Sequence, residues 1–425
     1  MKVGEKRSTG TQAFLARNVR WLGLLLLAFV LGWIASSQDW PRLIARVESV
    51  PDVILQSVAP AADLPTLVVD MNFPAYSDLL DQREQALQTG VYIPSNRDFV
   101  TATIQSDGSV VPVRMRLVAG PADHLGDDDK WGFEVRTRRN QRLFDMQRFY
   151  LQDPAANNWL NQWAFARALA REGVLVARYR FVHLILNGDE RGIYALQEGF
   201  ANELLAAQGR PEGVIVRFDA DRLWEASAHF GGDVRAATAD PIANLSAADF
   251  PYFEVDAFRD AAIDSDPGLS AQRDSAISLL RALQTGERKA SEVFDVERYG
   301  RFLALVDLWG ATQATSLVNL HYYYDPTSAR LEPIGFNGDA LGSDARVSLA
   351  ATYDDPALQA AYVQEALRVG QPEYLDQLRA ELEPEFRRLR QAVSAEQGEI
   401  EPPWDALRDR QEQMRHSLDP VQPVF

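Results

Sequence analysis

The 425-residue sequence has no cysteine, which excludes disulfide staples, thiolate metal sites and a cysteine nucleophile. Histidine is scarce, with five residues, and none stands in a His-Glu-x-x-His arrangement, so a zinc site of that kind has no sequence basis. There is no Walker P-loop and no Gly-x-Ser-x-Gly elbow, the marks of P-loop ATPases and of the usual α/β hydrolases. Basic residues fall short of acidic ones. The formal charge is −17 and no basic stripe interleaves with aromatics, which argues against nucleic-acid binding because a phosphate backbone would be repelled. No internal repeat is visible, and no defined carboxylate pair marks a glycosidase despite nine tryptophans. Trp159 and Trp163 lie at helical spacing and are expected in the core rather than on a sugar-binding face.

What is present is enough apolar material, 46% of residues, to bury a large core. The charge is unevenly placed, because Lys2, Lys6, Arg7, Arg17 and Arg20 face only Glu5 in the first twenty residues. An uncharged run from Trp21 to Ala35 follows, then Ser36, Ser37, Gln38, Asp39 and Trp40. A membrane-spanning helix needs about 17–25 residues, and residues 21–37 meet the lower end of that range. Flanking arginines on one side and Trp40 on the other orient the tail inward and the body outward. A signal peptide cleaved near Ala35 or Ser37 is the competing reading. The uncleaved anchor is favoured because the run reaches or exceeds the usual h-region of about 7–15 residues. The expected layout is a basic cytoplasmic tail at 1–20, a transmembrane anchor at 21–37 and a linker at 38–63 carrying Pro41, Pro51 and Pro60. A β-rich lobe at 64–217 and a helical lobe at 218–425 would follow. That places a single-pass protein in the inner (cytoplasmic) membrane, its C-terminal domain periplasmic or extracellular, with the membrane and an envelope protein as partners and no nucleic acid.

Alternation predicts strands at Leu67–Val69, Phe99–Ile104, Val110–Val118, Trp131–Arg138 and Arg148–Leu151, with a helix over Ala75–Gln88. Within VVPVRMRLV, Val111, Val113, Met115 and Leu117 share one face, and Arg114 and Arg116 the other. A helix starting at Asn158 as N-cap and stopping at Gly173 is followed by a hairpin, Tyr179–Leu186 and Gly192–Gln197, turned at Asn187-Gly188. After Gly213–Arg217 the pattern becomes mainly helical, at Ser270–Thr285, Val296–Ala314, Pro356–Val369 and Glu373–Glu396, interrupted by a β-like segment at His321–Phe336.

Three clusters carry candidate chemistry. Lys130 opens the strand KWGFEV behind the acidic loop Asp127-Asp128-Asp129. Glu198 ends the hairpin FVHLILNGDERGIYALQE. Asn319 begins and Asn337-Gly338-Asp339 closes the segment NLHYYYDPTSARLEPIGFNGD, where oxygen groups past a buried strand suit a divalent cation shared with phosphates. By local chemistry alone, Lys130 is a solvated strand end, Glu198 a helix cap and Asn337-Gly338-Asp339 a turn.

Together these segments resemble the spore-coat CotH kinase family over most of residues 64–345, most specifically over Phe181–Glu198, with support from 153–173 and from NLHYYYDPTSARLEPIGF. The resemblance implies an α+β, two-lobed atypical protein-kinase fold, with a β-rich N-terminal lobe and a mainly helical C-terminal lobe behind one transmembrane helix. It also implies ATP and Mg²⁺ as cofactors and an extracytoplasmic protein as phosphate acceptor. On that basis Lys130 and Glu198 would form the lysine–glutamate pair that orients ATP, and Arg114 and Arg116 would join them at the nucleotide. Asn319, Asn337 and Asp339 would hold the metal, with Lys130, Glu198 and Asp339 as the catalytic set. The sequence departs from the family at two places. Asn337 stands where the family commonly has the first aspartate of Pro-Trp-Asp-x-Asp, and Ala311–Val318 has no carboxylate to act as base. The nearest acids are Asp307, expected in a helix, and Asp325, expected in a turn. A catalytically inactive scaffold for envelope or surface-layer assembly is therefore the alternative function.

Overall fold

A computed structural model describes residues 64–126, 130–219, 221–231, 253–258, 260–342 and 355–418. The segments expected to form the tail (1–20), the anchor (21–37) and the linker (38–63) lie outside these residues. Among the described residues no helix is long and apolar enough to cross a membrane.

Fourteen strands are described: β1 (Thr66–Asp70), β2 (Val91–Tyr92), β3 (Val100–Ser106), β4 (Ser109–Leu117), β5 (Gly120–Pro121), β6 (Phe133–Thr137), β7 (Arg148–Gln152), β8 (Leu175–Val176), β9 (Tyr179–Leu186), β10 (Asp189–Glu198), β11 (Ile215–Phe218), β12 (Val255–Ala257), β13 (His321–Asp325) and β14 (Arg330–Gly335). Seven of them close into a barrel in the order β1-β3-β4-β6-β7-β10-β9, sealed where β1 runs parallel to β9. Closure removes the sheet edges, and the alternation read in the sequence explains what fills the interior. Val69, Ile104, Met115, Phe133, Phe149 and Tyr194 all point inward and are buried. The β9–β10 turn is built at Asn187 and Gly188, both at positive φ (51° and 89°), as Asn-Gly hairpins require.

Among the described residues, helices of eight or more residues are α1 (Phe73–Thr89), α2 (Leu160–Arg171), α3 (Asp221–Ala228), α4 (Pro267–Gln284), α5 (Val296–Leu308), α6 (Pro356–Val369), α7 (Pro372–Gln397) and α8 (Trp404–Ser417). Asn72 caps α1 by accepting from Ala75 N at 2.9 Å, and Gly90 ends it in the left-handed region. Asn158 does not cap α2 as expected. It turns left-handed (φ 58°) and sends its amide to the Ala340 carbonyl at 2.8 Å, tying α2 to the loop after β14.

The expectation of a β-rich lobe followed by a mainly helical lobe is overturned. The second half contains its own five-stranded sheet, ordered β12-β11-β13-β14-β8, and β8 comes from the first half. The presumed boundary between residues 217 and 218 falls inside β11. One buried cluster runs from Trp159, Phe165 and Phe181 through Val216, Tyr322 and Trp309 to Phe386. Residues 62–425 accordingly form a single unit. The physical reason is that the barrel's outer face at β9 and β10 is apolar at Phe181, Ile193 and Ala195, so it is buried by packing rather than left lining a cleft.

Candidate functional site

Lys130 lies just before β6. Its ammonium donates to the Ile193 carbonyl at 3.0 Å, forms an ion pair with Glu396 in the last turn of α7, and stands 5.8 Å from the rings of both Trp159 and Tyr194. Glu396 also accepts the Ile193 amide at 2.7 Å. β7 pairs with β10 only from Ala195 onward, so Ile193 presents backbone groups where the neighbouring strand has ended. Lys130 and Glu396 satisfy those groups as a strand would.

Glu198 is buried at the far end of β10. Arg178 holds both of its oxygens, at 2.8 and 2.6 Å, and the two backbones also bond, Glu198 N to Arg178 O at 2.8 Å. Five residue steps along the extended strand separate Ile193 from Glu198, roughly 16 Å at the usual rise. The structure therefore pairs Lys130 with Glu396 and Glu198 with Arg178, and does not bring Lys130 and Glu198 together.

Arg114 and Arg116 are on the barrel's outer wall, as alternation predicted. They meet a carboxylate that the sequence reading passed over, Glu134 on β6. Arg116 donates to its Oε2 at 2.8 Å and Arg136 to its Oε1 at 2.8 Å. All three guanidiniums converge on Phe99, at 5.5, 4.4 and 4.3 Å from its centroid for Arg114, Arg116 and Arg136. Burial pushes the Glu134 carboxyl up, but Arg116 and Arg136 outweigh it and hold the group below the usual carboxylate range. The alternation of FEVRT, placing Glu134 and Arg136 on one face beside Arg114 and Arg116, was the available signal.

The third group is assembled beyond β14. Asn319 Nδ2 donates to the Asn337 carbonyl at 3.4 Å and to the Gln313 carbonyl at 3.0 Å, and Asn157, which the sequence did not single out, approaches Asn337 Oδ1 at 3.5 Å. Asn337, Asp339 and Leu341 all adopt positive φ. Gly338 between them has no room for a side chain, since a Cβ would lie 2.7 Å from Phe165. Beneath the loop His321 stacks on Phe200 at 3.9 Å and meets the Asn319 carbonyl at 2.8 Å. Burial pushes its pKa down to about 3, so the ring is neutral there. The Asp339 backbone carbonyl accepts from Gly342 N at 2.8 Å, but its carboxylate has no hydrogen bond or ion pair among the described residues, and burial alone pushes the carboxyl up. Asp307 and Asp325 are occupied: Asp307 accepts from Tyr362 at 2.6 Å inside α5, and Asp325 accepts from Thr327 N and Ser328 at the end of β13.

Asp339, Asn337 and Asn319 offer oxygen donors of the kind that a hard cation takes, with a single negative charge among them. Among the described residues no set of three or more His, Cys, Asp or Glu side chains could hold a metal, so a cation at this loop would rest on amide oxygens and on its substrate. Trp159 and Trp163 are buried, as expected, against Phe181 and Phe386. No curated protein matches this chain. A family model described as CotH kinase protein matches residues 127–345, more than half of the sequence, and spans Glu134, Glu198, Asn319 and Asp339. On that match, the chain belongs to the CotH kinase protein family.

Proposed function

We propose that this chain is an extracytoplasmic, membrane-attached CotH-family scaffold that captures an envelope protein and does not turn over Mg–ATP. The observation that supports this reading is the commitment of both ionic groups of the expected pair, Lys130 to Glu396 and Glu198 to Arg178. A triphosphate needs a cation free to meet it, and releasing Lys130 would strand the Ile193 carbonyl and take the counter-charge from Glu396. Ala311–Val318 offers no base, and Asn337 coordinates without neutralising charge. The membrane attachment rests on the basic tail and the apolar run at 21–37.

Family membership brings nucleotide and metal use into consideration. Mg²⁺, when bound, would supply charge neutralisation at phosphate oxygens, and Asp339 with Asn337 and Asn319 would hold it. One observation favours a second reading, an Mg–ATP-dependent protein kinase: Asp339, unlike Asp307 and Asp325, keeps its carboxylate uncommitted among the described residues. The test is incubation of the full chain with radioactive ATP, Mg²⁺ and an envelope extract. The scaffold reading expects partner capture without labelling. Labelling that disappears in Asp339→Ala would overturn it.

A further inference from the structure

The outer wall of the barrel carries like charges in direct register. Arg114 on β4 is paired with Arg136 on β6, and Arg136 in turn with Arg148 on β7. Like charges directly opposite are destabilising in a sheet, and here they occur in a chain whose formal charge is −17. Glu134 offsets part of the repulsion, but its two oxygens go to Arg116 and Arg136. Among the described residues the Arg114 guanidinium has no ion pair and no hydrogen bond; its one contact of note is the Phe99 ring at 5.5 Å. Thr101, the cross-strand partner of Arg114, presents an exposed hydroxyl beside it.

We propose that Arg114, Arg136 and Thr101 form a docking platform for the phosphate monoester of a phosphorylated polypeptide. Three guanidiniums held against one ring, with one carboxylate among them, leave a positive surface pre-shaped for a dianion, and arginine's planar fork suits phosphate oxygens. The platform lacks what a nucleotide would require. The Phe99 face that could stack on a base is already covered by Arg116 and Arg136, at 4.4 and 4.3 Å. It also differs in place from the loop after β14, since β4 and β6 belong to the barrel and β14 to the five-stranded sheet. A phosphate carried on an exposed side chain can reach this open wall without entering a cleft.

The test is fluorescence anisotropy of the full chain with a labelled peptide bearing one phosphoserine, against the same peptide unphosphorylated. The phosphorylated form should bind about tenfold or more tighter, with salt weakening it, and Arg114→Gln should remove about tenfold of that advantage. Arg114→Glu should abolish it. Arg114 is exposed, so both variants should melt with the wild type. Inorganic phosphate should compete, ATP no better than phosphate, and Mg²⁺ or a chelator should make no difference, which separates this platform from the Asp339 loop. Equal binding of the two peptides, or unchanged binding in Arg114→Glu, overturns the proposal. ATP competing far better than phosphate would make this a nucleotide site and overturn the polypeptide occupant.

Discussion

Lys130 and Glu396 are 266 residues apart in sequence and grip the backbone of one residue between them, the lysine on the Ile193 carbonyl and the glutamate on its amide. The clasp fastens the last turn of α7 to the barrel where β7 ends. Gly192 permits it, since a Cβ there would lie 2.5 Å from Glu396 Oε2.

Glu396→Met and Lys130→Met should each lower unfolding free energy by about 1–2 kcal/mol, because partial exposure screens the charges while Ile193 loses the partner of its amide or of its carbonyl. The double variant should lose less than the sum, as read by urea denaturation. Additive losses would show that the two residues do not act as a unit.

Glu134→Gln should cost about 2–4 kcal/mol at neutral pH, because Arg116 and Arg136 would lose their buried counter-charge. The deficit should shrink on acidification. Arginine pairing holds the folded-state pKa of Glu134 below its unfolded value of 4.5, so its contribution is complete above that pH and is lost as pH falls through the folded value. A pH-independent deficit in thermal melts would refute the electrostatic account.

At Asp339 the sign is reversed. Burial raises its folded-state pKa above the unfolded 3.8, so ionisation opposes folding at neutral pH and the penalty disappears as pH falls below that value. Asp339→Asn should therefore be as stable as the wild type or slightly more so at pH 7, the gain being small because the group is partly solvated, and equal to it near pH 3. Added Mg²⁺ should raise the melting temperature of the wild type only; an equal rise in the variant would remove the loop as a cation site.

His321 makes the fold acid-sensitive. Its pKa falls from 6.5 to about 3 on burial, so the unfolded chain takes up the proton first and stability drains as pH drops from 6.5 towards 3. His321→Phe keeps the stack on Phe200, gives up the Asn319 contact and should flatten the stability–pH curve over that interval. A curve parallel to the wild type's would assign the acid sensitivity elsewhere.

The sequence by itself determined the local structure. Alternation in VVPVRMRLV placed Arg114 and Arg116 outside and Val113 and Met115 inside, Asn187-Gly188 set the hairpin, and helical spacing located α1, α4, α6 and α7, because each signal acts over a few residues through backbone geometry. It also determined the family, since the hairpin and late-strand segments survive as linear motifs.

Only the tertiary structure decided the partners of the charged groups. Nothing near Lys130 in sequence points to Glu396, and nothing near Glu198 favours Arg178 over Lys130, because an ion pair depends on which side chains the folded backbone brings within a few ångströms. The same holds for the lobes. A helical run after residue 218 reads as a separate body until β11 and β14 are seen to share a sheet with β8, and burial of one continuous apolar surface then makes a single unit.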